Sequence, residues 1–546
     1  MAKNSTNKQP SVEGQTGILG AIERAGNKLP DPVFLFFYLI FGLMIISVLA
    51  SLFGLSATLN DAVLAGMGQS SLDRFGIKDD GIISAMSLLS AQNIQKLWVE
   101  MPQTFTHFHP LGYVLVVMLG AGVAERSGLF SSAMRAAVSS APTFLLTPVV
   151  ALIAMIGNHA ADAAYVVLIP LVGVLFASAG RHPLAGIAAA FAGVSGGFSA
   201  NLAPGQLDAL LFGITQQAAE VLDPSYQTNI AGNWYFIVAM TFIFVPLIWF
   251  VTDVLIEPKL GKYKPKGDAV NSVADKNEPL TAAQKKGLGR AGIACLVVIA
   301  AWVFMTFGPG TPLIADEGAG ADEAFAIQLT PFFQSLVAAF FILFLAAGWA
   351  YGKAAGTIQE KQDIVRMMTD SMKDLGYYMV LAFAAAHFVA LFTWSNLGLI
   401  SAVHGAGAIE RSGLPLPILL GLIVLFSGLI NLFVGSASAK WALLAPVMVP
   451  MLMLLGVSPE GATAAYRVGD SGTNIITPLM VYFPLILIFC RRWKPDFGIG
   501  SLTAMMIPYS IWIMITGTTL MVLWVFFGFP LGYGAEIGYT LPGAAS

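Results

Sequence analysis

From Val33 to Gly54 the chain runs 22 residues without a charged side chain. As a helix, a stretch of that length spans a hydrocarbon core of about 30 Å. Similar runs follow at about Trp234–Ile256, Ala291–Phe307, Pro331–Tyr351, Tyr377–Trp394 and Met505–Phe529. Two longer apolar tracts, about Leu111–Leu211 and Leu397–Cys490, are rich in Gly, Ala, Ser and Pro. Such residues allow close helix contact and interrupted helices in a membrane. The expected fold class is an all-α polytopic membrane protein.

Composition supports this. Of 546 residues, 11% are charged, against roughly 25% in soluble domains. The net charge of −3 gives no support for a nucleic-acid partner. Cys295 and Cys490 and six scattered histidines show no metal-ligand spacing and no disulfide framework. The first thirty residues are polar, with Lys3, Lys8, Arg24 and Lys28, and lack a small-residue cleavage site. Val33–Gly54 therefore reads as an uncleaved first membrane helix behind a cytoplasmic N-terminus.

Internal repetition organises the chain. The segment "GAGVAERSGL" from Gly120 returns as "GAGAIERSGL" from Gly405, identical at eight of ten positions. "GNHAADAAYVVLIP" from Gly157 parallels "GSASAKWALLAPVMVP" from Gly435, and "HPLAGIAAAFAGVSGG" from His182 parallels "SPEGATAAYRVGDSGT" from Ser458. Three pairs in one order indicate a duplicated half. Charge asymmetry gives the orientation. Glu257–Arg290 holds eight Lys/Arg, Lys353–Lys373 holds four, and Arg491, Arg492 and Lys494 form a third basic cluster; these should be cytoplasmic. Gly310–Ala326 carries Asp316, Glu317, Asp322 and Glu323 without a base and should lie outside, as should the C-terminal tail. If each tract crosses an odd number of times the halves are inverted, a common transporter design with broken helices meeting near the midplane. The expected division is a cytoplasmic segment 1–32, a first membrane half 33–256, a basic cytoplasmic loop 257–290, a second half 291–529 and a tail 530–546. An amphipathic piece around Ile83–Trp98 should lie at the outer membrane surface.

The stretch "AAYRVGDSGTNIITPLM" puts Arg467 and Asp470 three residues apart in apolar surroundings. A charge at the bilayer centre costs roughly 2.5–3.5 kcal/mol on insertion scales, so both should face protein or a wet cavity. On a helix they could pair directly, as a structural salt bridge or as part of a substrate or ion site. Gly469, Ser471, Gly472, Thr473 and Asn474 suggest a helix break whose free backbone groups bind an ion or a carboxylate. The aligned first-half positions are Phe191 and Val194, so the glycine–serine break is shared while the charges belong to the second half. "GDSG" also matches the nucleophile segment of trypsin-like proteases, but such enzymes need a soluble β-barrel with a placed His and Asp.

Asp208, in "NLAPGQLDALLFG", is a candidate ion or proton site, with an exterior loop as the bland alternative. Asp162, beside Asn158 and His159, is a second first-half carboxylate; its bland reading is a helix-break cap. Asn431, Ser436 and Ser438 offer hard oxygen ligands for Na⁺ or hydrogen bonds for a substrate, against simple small-residue packing. Trp441 could stack an aromatic ring or pack in the core. Lys440 reads as a snorkelling side chain. The duplicated Glu125/Arg126 and Glu410/Arg411 read as structural ion pairs at helix ends.

Together the quoted stretches resemble the p-aminobenzoyl-glutamate transporter (AbgT-type) family over nearly the whole chain. The resemblance implies a bacterial inner-membrane secondary transporter. It implies a homodimer whose protomers have about nine transmembrane helices plus two re-entrant hairpins. It implies import of p-aminobenzoyl-glutamate or export of sulfonamide antimetabolites, and no enzymatic activity or organic cofactor. The coupling ion would be H⁺ or Na⁺. Carried onto this sequence, its functional positions fall on Asp208, Asn431, Ser438, Trp441, Pro459, Arg467 and Asp470. The expected roles are an anion clamp at Arg467, a ring contact at Trp441, hydrogen bonds from Ser438 and Asn431, a helix break at Pro459, and ion coupling at Asp208, Asp470 and Asn431. A passive channel for small organic anions and, further off, an intramembrane hydrolase remain rival classes. Direction of transport is not written in these motifs.

Overall fold

Asp31 starts the first helix: its carboxylate accepts from the Val33 backbone N–H (2.9 Å), and Pro32 fills the first position, where its missing N–H costs nothing. The computed structural model describes residues 31–59, 64, 72–73, 75–77, 80–139, 142–160, 164–261, 263, 280–308, 310, 312–314, 329–477, 479–480 and 482–540. Asp162, the N-terminal Lys3, Lys8, Arg24 and Lys28, half of the basic 257–290 loop and the acidic Asp316, Glu317, Asp322 and Glu323 lie outside the described residues.

The first half runs through α1 (Pro32–Leu52), a small hairpin of β1 (Ser56–Thr58) and β2 (Ile82–Ser84), α2 (Ala91–Thr106), α3 (His109–Arg126), α4 (Leu129–Ser139), α5 (Leu146–Ile156), α6 (Ile169–Ser178), α7 (Pro183–Phe191), α8 (Gln206–Ala219) and α9 (Trp234–Phe250). The second runs through α10 (Ala282–Phe307), α11 (Leu336–Ala355), α12 (Lys361–Asp374), α13 (Gly376–Trp394), α14 (Leu397–Ser412), α15 (Leu416–Asn431), α16 (Ala437–Leu454), α17 (Pro459–Thr473), α18 (Phe483–Trp493) and α19 (Ile499–Phe526). Among the described residues, eight helices are long and apolar enough to cross a membrane. A ninth appears if the pair Leu129–Ser139 and Thr143–His159, bent by 117°, counts as one span. The expected all-α, multi-pass architecture is therefore present. Outward faces suit lipid: α1 exposes Phe34, Phe41 and Ile45, and α10 exposes Leu296, Val297 and Phe304.

Several boundaries differ from the hydropathy reading, for local reasons. The span expected at Ala291–Phe307 begins at Ala282, because Thr281 and Gln284 form a capping box that starts the helix before Lys285, Lys286 and Arg290. The span expected at Pro331–Tyr351 is divided at Ser335. The piece around Ile83–Trp98 is two elements, a strand ending at Ser84 and a helix that begins after the Ser90 N-cap.

The break expected at Gly469–Asn474 also moves. α17 stays helical through Thr473 and unwinds only afterwards. It opens with Ser458, whose hydroxyl accepts from Gly461 N–H (3.2 Å), and with Pro459 at its first position; every one of its residues is buried. Glycine makes this possible. A Cβ on Gly469 would sit on the Val424 carbonyl oxygen of α15 and 2.7 Å from Gly428 N. The close crossing brings the Ser427 hydroxyl to the Tyr466 carbonyl (2.8 Å) and the Thr473 hydroxyl to the Gly428 carbonyl (3.0 Å). The repeat partner is α7 with the π-helical turn Ala192–Gly196, begun by His182 and Pro183 and likewise wholly buried. The two segments meet at their C-terminal ends, where Ser199 N–H donates to Ser471 Oγ (3.0 Å).

Candidate functional site

α17 carries Arg467 and Asp470 into the middle of the protein, but they do not pair with each other. Arg467 reaches across to α8 of the first half and donates to Asp208 (2.7 Å) and to the Ser199 carbonyl (3.4 Å). Asp208 also accepts from Gly205 N–H (2.8 Å), so it caps α8 at its positive end while it neutralises Arg467. The exterior-loop reading of Asp208 fails: it is 3% exposed. Asp470 pairs instead with Lys440 of α16.

Lys440 is therefore not a snorkelling side chain. It is 0% exposed, its ammonium bonds Asp470 and Asn431 Oδ1 (2.7 Å), and it lies 5.2 Å above the Tyr466 ring. Asn431 completes the shell, donating to the Asp470 carbonyl (2.9 Å), Thr473 Oγ1 (3.0 Å) and Asn474 Oδ1 (2.8 Å). An uncompensated lysine at the centre of an apolar helix was the available signal, since a buried ammonium needs a carboxylate. Asp470 supplied one three residues from an arginine that, by sequence alone, seemed to claim it.

Trp441 is wholly buried. It stacks on Tyr466 (centroids 4.4 Å apart, 26° between planes) and donates to Thr215 Oγ1 (2.9 Å). Thr215 in turn meets Thr463 of α17 (2.8 Å), and Tyr466 donates to the Ala437 carbonyl (2.6 Å). Thus α8, α16 and α17 are tied together by hydrogen bonds around one indole. Ser438 is half-buried and lines a small gap beside Phe108, Pro110 and Leu210. Of the duplicated acid–base motifs, Arg126 pairs with Asp374 of α12, whereas Glu410 and Arg411 are exposed.

A cavity of about 350 Å³ opens between the halves. That falls within the usual range for small-molecule sites. Asn158, Tyr165, Phe198 and Gln206 line it from the first half, and Tyr378, Asn474 and Tyr482 from the second. Tyr165 and Tyr482 stack face to face there (4.2 Å, 11°). Among the described residues, Asn158 Nδ2 and Tyr378 OH have no hydrogen-bond partner although both are buried. The sequence reading missed Tyr165, Gln206 and Tyr378. Arg467, Trp441 and Asp470, expected to touch the substrate, stand behind the wall of this cavity with protein partners. Asn474 links the two, since it lines the cavity and donates to Asp470 (3.4 Å).

Residues 17–539 match the AbgT putative transporter family. The chain belongs to that family. A curated relative, the p-aminobenzoyl-glutamate transport protein of Escherichia coli (strain K12), is 34% identical over 96% of this chain and 98% of its own length. Two solved structures are similar throughout. The YdaH transporter of Alcanivorax borkumensis (39% identity, TM-score 0.82) covers 92% of this chain and is itself covered completely. MtrF of Neisseria gonorrhoeae, described as illuminating a class of antimetabolite efflux pumps, is 42% identical (TM-score 0.85) over 95% of this chain and all of its own. The chain is thus a multi-pass membrane protein of a transporter family.

Ion coupling, by H⁺ or Na⁺, was expected at Asp208, Asp470 and Asn431. Asp470 Oδ1 and Asn431 Oδ1 both accept from the Lys440 ammonium, so a positive charge already sits between these two oxygens.

Proposed function

We propose that the chain is a secondary active transporter of p-aminobenzoyl-glutamate or related aromatic antimetabolites, driven by the proton gradient. The observation that carries this is the Arg467–Asp208 pair, a buried ion pair that joins the two halves behind a cavity lined by both. Such a pair is costly to desolvate and is weak as a source of stability. It is well suited to a switch, because each partner has a second use. Protonation of Asp208 would release Arg467. A freed guanidinium pairs with carboxylate or sulfonyl oxygens through parallel N–H bonds. A substrate carboxylate and a proton would then enter together, and each would favour the state that binds the other.

The remaining residues take roles around that exchange. Tyr165, Tyr378 and Tyr482 offer an aromatic, hydrogen-bonding cavity to an aminobenzoyl ring. Trp441 and Thr215 hold α16 against α8, so that a shift of α17 is felt by both. Asp470 is the second proposed ion-coupling carboxylate, in reach of the cavity through Asn474. The relative from E. coli and the similarity to MtrF support the substrate class.

Filling the cavity tests its use. Leu210 lines it and is half-buried. Leu210→Trp should weaken binding of radiolabelled p-aminobenzoyl-glutamate to purified protein by at least ~10-fold, about 1.4 kcal/mol, while leaving the melting temperature close to wild type. Unchanged affinity would move the substrate elsewhere.

A further inference from the structure

Two ion pairs are buried around α17. Arg467 and Lys440 carry two positive charges, and Asp208 and Asp470 carry two negative ones; all four are at most 3% exposed. Glu460 lies ten residues back along α17, about 15 Å at 1.5 Å per residue. His159 faces Asp208, not Asp470. Tyr466 presents its ring to the Lys440 ammonium. Around Asp470, then, one cation answers one carboxylate. Its surroundings are a carboxylate, the Asn431 amide oxygen and an aromatic face, the shell a small monovalent cation would seek.

We infer that Lys440 is a tethered resident cation that reserves the Asp470–Asn431 site, so that transport by this chain is independent of Na⁺, and that removing the ammonium turns the site into a Na⁺ site. The inference rests on reading the chain as a gradient-driven transporter and specifies which ion that gradient leaves out. Three arguments support it. Lys440 sits on α16, directly beside α17, so its ammonium is always at high local concentration and needs no passage from water. A second cation on the same carboxylate would leave one uncompensated positive charge in a medium that screens poorly. Without Lys440, the same accounting leaves one uncompensated negative charge facing Asn431, Thr473 and Asn474, all oxygen-bearing.

The test compares wild type with Lys440→Ala in NaCl and in choline chloride at equal ionic strength. It reads the melting temperature of purified protein and the uptake of radiolabelled p-aminobenzoyl-glutamate by proteoliposomes under a fixed proton gradient. Wild type should melt at the same temperature and transport at the same rate in both salts. Lys440→Ala should show a saturable rise in melting temperature with Na⁺, absent with choline, and uptake at least ~10-fold faster in Na⁺ than in choline. Saturable Na⁺ stabilisation of wild type, or wild-type uptake that requires Na⁺, would overturn the inference. So would a folded Lys440→Ala protein indifferent to Na⁺. If Lys440→Ala does not fold, the wild-type arm decides alone. If wild type carries no p-aminobenzoyl-glutamate in either salt, the transport reading fails while the melting arm still judges the ion.

Discussion

Arg467→Ala is expected to abolish p-aminobenzoyl-glutamate uptake and to destabilise the folded protein by about 3–5 kcal/mol, the usual result of stranding one member of a buried ion pair. The stranded member is Asp208, 3% exposed and 2.7 Å from the lost guanidinium. Two effects are superimposed, and a second variant separates them. Arg467→Met combined with Asp208→Asn removes both charges but keeps an oxygen to accept from Gly205 N–H, the capping bond now made by Asp208. The double variant should regain most of the melting temperature, because no buried charge is left unpaired. It should still fail to bind substrate, because the anion has lost its guanidinium. Recovery of both would reduce Arg467 to a structural residue. Wild-type uptake by Arg467→Ala alone would remove the anion clamp altogether.

Asp470→Asn should separate binding from energy coupling. The single amide oxygen can still accept from Lys440, but an NH2 takes the place of Oδ2, which accepts from Asn474. The buried ammonium loses its counter-charge, and the side chain cannot carry a proton as an acid. Uphill accumulation in proteoliposomes should disappear, while exchange of internal unlabelled for external labelled substrate continues. The difference is large: a pH difference of one unit provides about 1.4 kcal/mol per proton, roughly a tenfold concentration ratio. Retained uphill transport would exclude Asp470 from the carrier role.

How much of this was legible in the sequence follows from physical range. Hydropathy found α1, α9 and α13 closely, because lipid-facing helices must be apolar along their length. It divided α14 to α17 poorly: α17 is buried on every side, so no polar face marks its ends, and Ser458 and Pro459 are the only punctuation. The internal repeat aligned α7 with α17 in sequence but did not state that their ends pack together, as they do at Ser199 and Ser471. Charge partners were the weak point. Spacing along one helix suggested Arg467 with Asp470, yet the true partner of Arg467 lies 259 residues earlier. Nothing local in a sequence encodes a contact made by packing two distant helices. Lys440 was misread for a related reason, since snorkelling and burial with a carboxylate differ only in what the neighbouring helix brings.

Whether a gradient drives substrate through a site shared by both halves is decided by one uptake curve. Proteoliposomes holding the wild-type chain are given radiolabelled p-aminobenzoyl-glutamate with and without an imposed proton gradient. Internal label should rise well above the external concentration with the gradient and collapse to equality when a protonophore is added. Label that only ever equilibrates, at a rate indifferent to the gradient, would describe a passive pore and contradict gradient-driven transport.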